Sequence, residues 1–95
     1  MTATSEPDIL ATARAAMERH DWRVAFEALS TADASTKLPP EGLELLADAA
    51  WWTGQLPLAI DARERAYAGA MRDGNVEAAV AAAIRLAHNN LLRMA

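Results

Sequence analysis

The fold of this chain is decided by a short turn between two apolar segments, AWWTGQLPLAI at residues 50–60. Gly54 can adopt the left-handed backbone conformation that ends a helix, and Pro57 lies where proline is favoured, in the first turn of the next helix. The stretch therefore predicts a helical hairpin. Its first helix covers about 40–53, after two prolines, and its second runs from about Leu56 to Asp73, before Gly74.

Similar start and stop signals predict three more helices. Ser5 offers an N-cap hydroxyl for a first helix that ends near Arg19, and Asp21 can cap a second helix that runs until the polar stretch 30–37. Asn75 can cap a fifth helix that continues towards Met94. Alanine fills 24 of the 95 positions and no segment alternates with the period of a strand, so we predict an all-α fold.

The first two predicted hairpins align with each other at an offset of 34 residues. Several alanines coincide, as expected in so alanine-rich a chain. More informative pairs preserve apolar volume without being identical, such as Val24 with Leu58 and Phe26 with Ile60. The inter-helix turns, near His20 and Gly54, also coincide. The offset indicates a repeat of hairpins, and the alternative is an unrelated helical bundle rich in alanine.

The period and the turn resemble the tetratricopeptide family. Ala59 and Ala66 are the small residues that follow Gly54 by five and twelve positions, and Ala25 and Ala32 follow His20 at the same distances. The chain departs from the family pattern because helix A lacks the usual tryptophan and glycine and no closing proline follows Ala66. The resemblance implies antiparallel hairpins stacked as a short solenoid of about five helices.

A narrower resemblance rests on three segments, FEALSTAD at 26–33, LPPEGLELLADAAWWTG at 38–54 and ARERAY at 62–67. They are similar to the helical-repeat region that precedes the DNA-binding domain in actinobacterial LuxR-type transcriptional regulators, and to repeats attached to some bacterial adenylate cyclases. The resemblance covers roughly residues 8–90. Because the chain has no helix-turn-helix, P-loop or cyclase motif, the resemblance implies only a scaffold role, in a domain of a larger regulator or a short relative of one.

Composition narrows the classes of function. The net charge of −4, with the cations scattered singly, disfavours direct binding to nucleic acid. The absence of cysteine excludes disulfides and thiolate metal sites. We expect a cytoplasmic location, because the N-terminus does not resemble a signal peptide and no apolar run approaches a membrane span. We expect a single domain over 1–95, with hairpins at 5–33 and 40–73 and a terminal helix at 75–94.

No constellation of residues predicts catalysis. His20 and His88 lie far apart in sequence and without adjacent acids, so we expect surface or packing roles, no metal and no cofactor. Glu44 and Asp48 form an acidic pair four residues apart, which is most often solvated charge. The same interpretation applies to the arginines at 63, 65 and 72. We therefore expect a protein that is not an enzyme.

The predicted function is a protein-interaction scaffold, related to or part of a bacterial transcriptional regulator, with a concave groove lined by helices one, three and five. The alternative is a signal- or small-molecule-sensing helical domain that controls an output domain outside this chain. On helix three the residues expected to bind a protein or peptide with basic and apolar side chains are Glu41, Glu44, Leu45, Asp48 and Trp52. The alternative for Leu45 and Trp52 is packing against neighbouring helices.

A second predicted surface lies on the terminal helix, which is apolar around much of its circumference and does not resemble a polar capping helix. Two and a half repeats leave this helix without the next hairpin. In a longer parent its apolar surface would meet that hairpin, and in this chain alone we expect it to support a homodimer or to lower solubility. The residues expected to make the contact are Val76, Val80, Ala83, Ile84, Ala87 and Leu91.

Overall fold

The computed structural model describes residues 6–94 and, within them, all side chains except those at 6, 7 and 93. The described chain contains five α-helices and no strand. They are α1 (Glu6–Glu18), α2 (Trp22–Ser35), α3 (Pro40–Trp52), α4 (Leu56–Arg72) and α5 (Val76–Met94). The predicted all-α fold is therefore confirmed. The predicted N-cap Ser5 lies outside the described residues.

Three of the four connections between the described helices are turns of the same design. His20, Gly54 and Gly74 each have positive φ, at 61°, 77° and 71°. In each turn the next residue donates its backbone N–H to a carbonyl five residues back, as Gln55 does to Ala50 at 2.8 Å. This pairing satisfies carbonyls at the end of the preceding helix. The turns at His20 and Gly54 are 34 residues apart, so the sequence offset matches a recurring local structure.

Helix α2 is longer than the sequence predicted, because the stretch 30–37 does not end it at Ser30. Ala32 packs against the buried core, and the Thr36 N–H donates to the carbonyl of Ala32 at 2.8 Å. Asp33, in the last turn, binds an arginine of α4. These tertiary contacts hold a segment whose residues have weak helix propensity. Asp21 stands at the N-cap of α2 but makes no side-chain capping bond, whereas Asn75 Oδ1 accepts the Ala78 N–H at 3.1 Å as predicted.

The helices pack in chain order, each against the next, and α1 also contacts α3. Among the side chains that the structure describes, twelve of the eighteen buried apolar ones are alanine, and Leu29 is the only large one that is fully buried. Small residues let helix backbones approach closely, as where Gly69 of α4 lies against Pro40 of α3. The core is therefore thin, and each of its few leucines contributes a large share of the buried apolar volume.

Candidate functional site

A groove of about 340 Å³ runs across one face of the molecule, between α1, α3 and α5, with α4 beneath it. Four of the five predicted binding residues line it: Glu41, Glu44, Leu45 and Asp48. The rest of its lining consists of small or apolar side chains and two arginines, namely Arg14, Pro40, Ala66, Ala70, Asn75, Ala78, Ala81 and Arg85. The structure thus brings together the acidic face of α3 with residues of α1 and α5.

A buried arginine holds the acids of this groove in place. Arg63 of α4 is only 5% exposed. Its guanidinium donates through Nη1 to Glu44 and through Nη2 to Asp48 at 2.6 Å, while Nε donates to Asn89 Oδ1 of α5 at 3.1 Å. Since each of its three nitrogens has an acceptor on α3 or α5, the cation is compensated despite its burial. The side chains of Glu44 and Asp48 are therefore fixed from below.

Two further arginines pair with the acids at the mouth of the groove. Arg14 of α1 lies 3.1 Å from Glu41, and Arg85 of α5 lies 3.4 Å from the second carboxylate oxygen of Glu44. Both contacts are partly exposed, so each adds little stability. Three arginines thus offset the three carboxylates of α3. The groove presents fixed charges of both signs, whereas the residues predicted from the sequence to face it were mainly acidic.

Two predictions made from the sequence are wrong for the residues of this groove. Glu44 and Asp48 are not simply solvated charge, and Arg63 does not belong to a solvated face, because the three form one network. A signal for this was present in the sequence. At 100° per residue, Arg63 falls on the same face of α4 as Ala59, Ala66 and Ala70, which is a helix face built for close packing. A cation on such a face requires a buried partner.

Arg65 also departs from the expected solvated face. It makes a bidentate pair with Asp33 at the end of α2, with N–O distances of 2.7 and 2.8 Å. The hydrogen bond from Arg65 holds the pKa of Asp33 below its ordinary value, and the Leu38 N–H adds to this effect at 3.2 Å. Arg65 also pairs with Asp61 of its own helix, at the longer distance of 3.8 Å. Asp33 therefore joins α2, the loop at 36–39 and α4.

Trp52, the fifth predicted binding residue, lies apart from the groove at the end of α3. The residue is 58% exposed, and its ring stacks on Trp22 with centroids 5.2 Å apart, while Trp22 stacks in turn on His20 at 5.0 Å. Trp51 is only partly exposed, and its ring centroid lies 6.1 Å from that of His88 of α5. Both histidines thus contact tryptophans. Trp52 forms an exposed aromatic edge at the end of the groove-bearing helix and does not belong to the core.

A wider cleft, of about 870 Å³, lies on the outer side of the α1–α2 hairpin, and sequence reasoning did not identify it. Ile9, Val24 and Leu38 contribute apolar surface to it, and Thr12 and Thr31 contribute hydroxyls. Its single acidic lining residue, Glu27, pairs with Arg23 of its own helix. This cleft therefore lacks the network of cross-helix charges that distinguishes the groove.

The six residues predicted for self-association all lie on the exposed surface of α5. They share one side of the helix, whereas Ala79, Ala82 and Asn89 are buried on the side that meets α4. Within residues 6–94, no three acidic or histidine side chains are placed to hold a metal ion. None of the helices described there is both long and apolar enough to cross a membrane.

Comparison of the chain with protein-family models, curated proteins and solved structures gives no match.

Proposed function

We propose that this chain is a non-catalytic interaction scaffold that binds a peptide or a helix of another protein in the groove between α1, α3 and α5. The observation that carries the proposal is the fixed array of charges along an open groove. Arg63, buried beneath it, holds Glu44 and Asp48 in place, so a partner meets side chains that are already ordered. Such preorganisation lowers the conformational entropy lost on binding.

The lining indicates the chemistry of the partner. Glu41 is exposed and Asp48 is partly exposed, so both can accept hydrogen bonds from basic side chains of a ligand. Leu45 and the alanines of α5 offer apolar contact between these charges. Because Arg14, Arg63 and Arg85 offset the carboxylates, a partner with both basic and acidic side chains fits better than a strongly basic one.

The tetratricopeptide resemblance supports the same function. The recurring turns at His20 and Gly54 support stacked hairpins, and in that arrangement the first helix of each hairpin lines the binding surface. We further propose a role next to the output domain of a bacterial transcriptional regulator, as the narrower resemblance implies, in the cytoplasm.

The proposal is tested with a random-peptide library displayed on phage, followed by calorimetric titration of the selected peptides. Glu41→Lys reverses an exposed groove charge, and Glu64→Lys makes the same change on α4 outside the groove. We expect Glu41→Lys to weaken binding by about tenfold or more, or about 1.4 kcal/mol, and Glu64→Lys to leave the affinity nearly unchanged.

Leu45→Ala in the same titration tests the apolar contribution, and Trp52→Ala tests whether the aromatic edge extends the site, as the sequence predicted. Selection of no peptide, or peptides that respond equally to Glu41→Lys and Glu64→Lys, would show that this groove is not the binding surface. Thermal unfolding of each variant separates lost binding from lost folding.

A further inference from the structure

Helix α5 carries a continuous apolar stripe on its outer side. Val76, Val80, Ile84 and Leu91 are each more than half exposed, and Ala83 and Ala87 lie between them. At 100° per residue these six side chains span about 100° of the helix. That is the width of a face that a globular protein normally turns towards its core. Nothing in the described chain covers it.

The position of α5 gives the stripe a defined geometry. Three-residue turns join α1 to α2, α3 to α4 and α4 to α5. Helices so joined run antiparallel. The fifth helix therefore runs antiparallel to α4 and packs on it through Ala79 and Ala82, and among the described residues no helix lies against its stripe. The stripe can accept one more helix as an antiparallel partner.

We propose that this partner is α5 of a second copy of the chain, packed antiparallel about a twofold axis. The order of residues along the stripe is what a twofold contact requires, since each residue must meet a complementary one in the same surface. With the axis midway between Ala83 and Ile84, Val76 lies opposite Leu91 of the other copy and Val80 lies opposite its Ala87. Every stripe residue then meets another stripe residue.

Side-chain sizes are complementary in this register. Beside the axis Ala83 faces Ile84 of the other copy, and Ala87 faces its Val80, so each alanine meets a larger side chain, while Val76 and Leu91 pair at the ends. Small residues at a crossing point let helix axes approach to about 8 Å. A stripe of large residues throughout would hold the two helices apart at the centre.

Polar groups beside the stripe are also complementary in this register. Glu77 and His88 flank the stripe on the same side, at about 100° and 120° on the helical wheel of α5 when Val76 is placed at 0°. Glu77 of one copy then lies about 3 Å along the helix axis from His88 of the other, on the same side of the interface, and the symmetry places two such acid–imidazole pairs there. His88 also lies beside Trp51 of its own copy. Arg85, the charged residue nearest the axis in sequence, points away to Glu44, so no like charges meet at the centre.

The dimer is tested by sedimentation equilibrium over a range of protein concentrations. We expect a monomer–dimer equilibrium with a Kd on the order of 10–100 μM, because one helix face per copy makes a small interface. Ile84→Glu, next to the axis, should weaken dimerisation by about a hundredfold or more. Leu58→Glu, which makes the matched change at an exposed apolar residue of α4, should leave the Kd unchanged.

The register is tested by disulfide formation, because the natural chain has no cysteine. The double variant Val80→Cys/Ala87→Cys should form a covalent dimer on mild oxidation. The two positions are about 10 Å apart along one helix, too far for a bond within one copy. Val80→Cys alone should remain uncrosslinked, since its counterpart in the antiparallel dimer is equally distant.

A monomer at every concentration up to about 1 mM would overturn the proposal, as would a dimer that Ile84→Glu does not weaken. Efficient crosslinking of Val80→Cys alone would overturn the antiparallel register. These measurements need no peptide ligand, so their outcome is independent of the groove function.

Discussion

Arg63 of α4 donates to Asp48 of α3 across 2.6 Å, from a position where the arginine is almost completely buried. The same guanidinium reaches Glu44 of α3 and Asn89 of α5. One cation therefore connects three consecutive helices. It also couples stability to the proposed function, because the carboxylates it holds are those that line the groove.

Arg63→Ala should lower the free energy of unfolding by about 3 kcal/mol. Removing one partner of a buried pair leaves the others uncompensated, which costs about 3–5 kcal/mol when all are buried. The lower end applies here because Asp48 is partly exposed and water can reach it. Urea unfolding measures the change.

The matched control is Arg23→Ala, which removes an exposed arginine paired with Glu27 on the same helix. Its effect should stay within about 0.5 kcal/mol. Equal losses for the two variants would mean that the Arg63 network does not hold the helices together.

Asp33 should make stability depend on acidic pH. Its pKa lies below the ordinary value of 3.8 because Arg65 binds the ionised carboxylate. The ionised form is therefore favoured in the folded state, and this contribution is complete above about pH 4 and is lost as the pH falls through the lowered pKa. Between pH 5 and pH 2, Asp33→Asn should lose less stability than the natural chain, as measured by Tm.

Asp61→Asn is the control, because Asp61 meets the same arginine only at 3.8 Å and from an exposed position. Its Tm should follow that of the natural chain across the pH range. If Asp33→Asn also ran parallel to the natural chain, the bidentate pair would not contribute to acid sensitivity.

Leu46→Ala should destabilise the protein far more than Trp52→Ala. Leu46 is buried in a core with few large side chains, so its truncation should cost about 2–5 kcal/mol. Trp52 is mostly exposed and would lose mainly its stacking on Trp22, worth about 0.5–1.5 kcal/mol. Thermal unfolding compares the two. A Trp52→Ala variant as unstable as Leu46→Ala would show that Trp52 belongs to the core.

Gly69→Ala should destabilise the protein even though alanine favours helix. A Cβ at Gly69 would lie 2.8 Å from Pro40 Cγ, and the proline ring cannot rotate away. Overpacking of this kind costs about 1–3 kcal/mol. In the double variant Gly69→Ala/Pro40→Ala the obstacle is gone, so a double-mutant cycle should give a coupling of about 1 kcal/mol or more. Additive effects would show that α3 and α4 do not approach closely there.

The turn residues allowed the helix boundaries to be predicted from the sequence. Gly54 and Gly74 ended their helices where expected, and Pro40 and Asn75 began theirs, because these residues act through local backbone geometry. The C-terminal end of α2 was predicted too early, because the contacts that extend this helix to Ser35 come from distant segments. The acidic face of α3 could also be located, because a helix with known ends fixes which side chains share a side.

What the sequence determined by itself is the set of elements: an all-α chain, the positions of its turns, the face of α3 that carries Glu41, Glu44, Leu45 and Asp48, and the apolar side of α5. These follow from interactions between residues close in the chain. Only the tertiary structure decided that Arg63 is buried between Glu44, Asp48 and Asn89, that Arg65 binds Asp33, and that Trp52 leaves the groove to stack on Trp22. The partners in those contacts are 15 to 32 residues apart, and local periodicity cannot choose among distant acids and rings until packing brings one of them within reach.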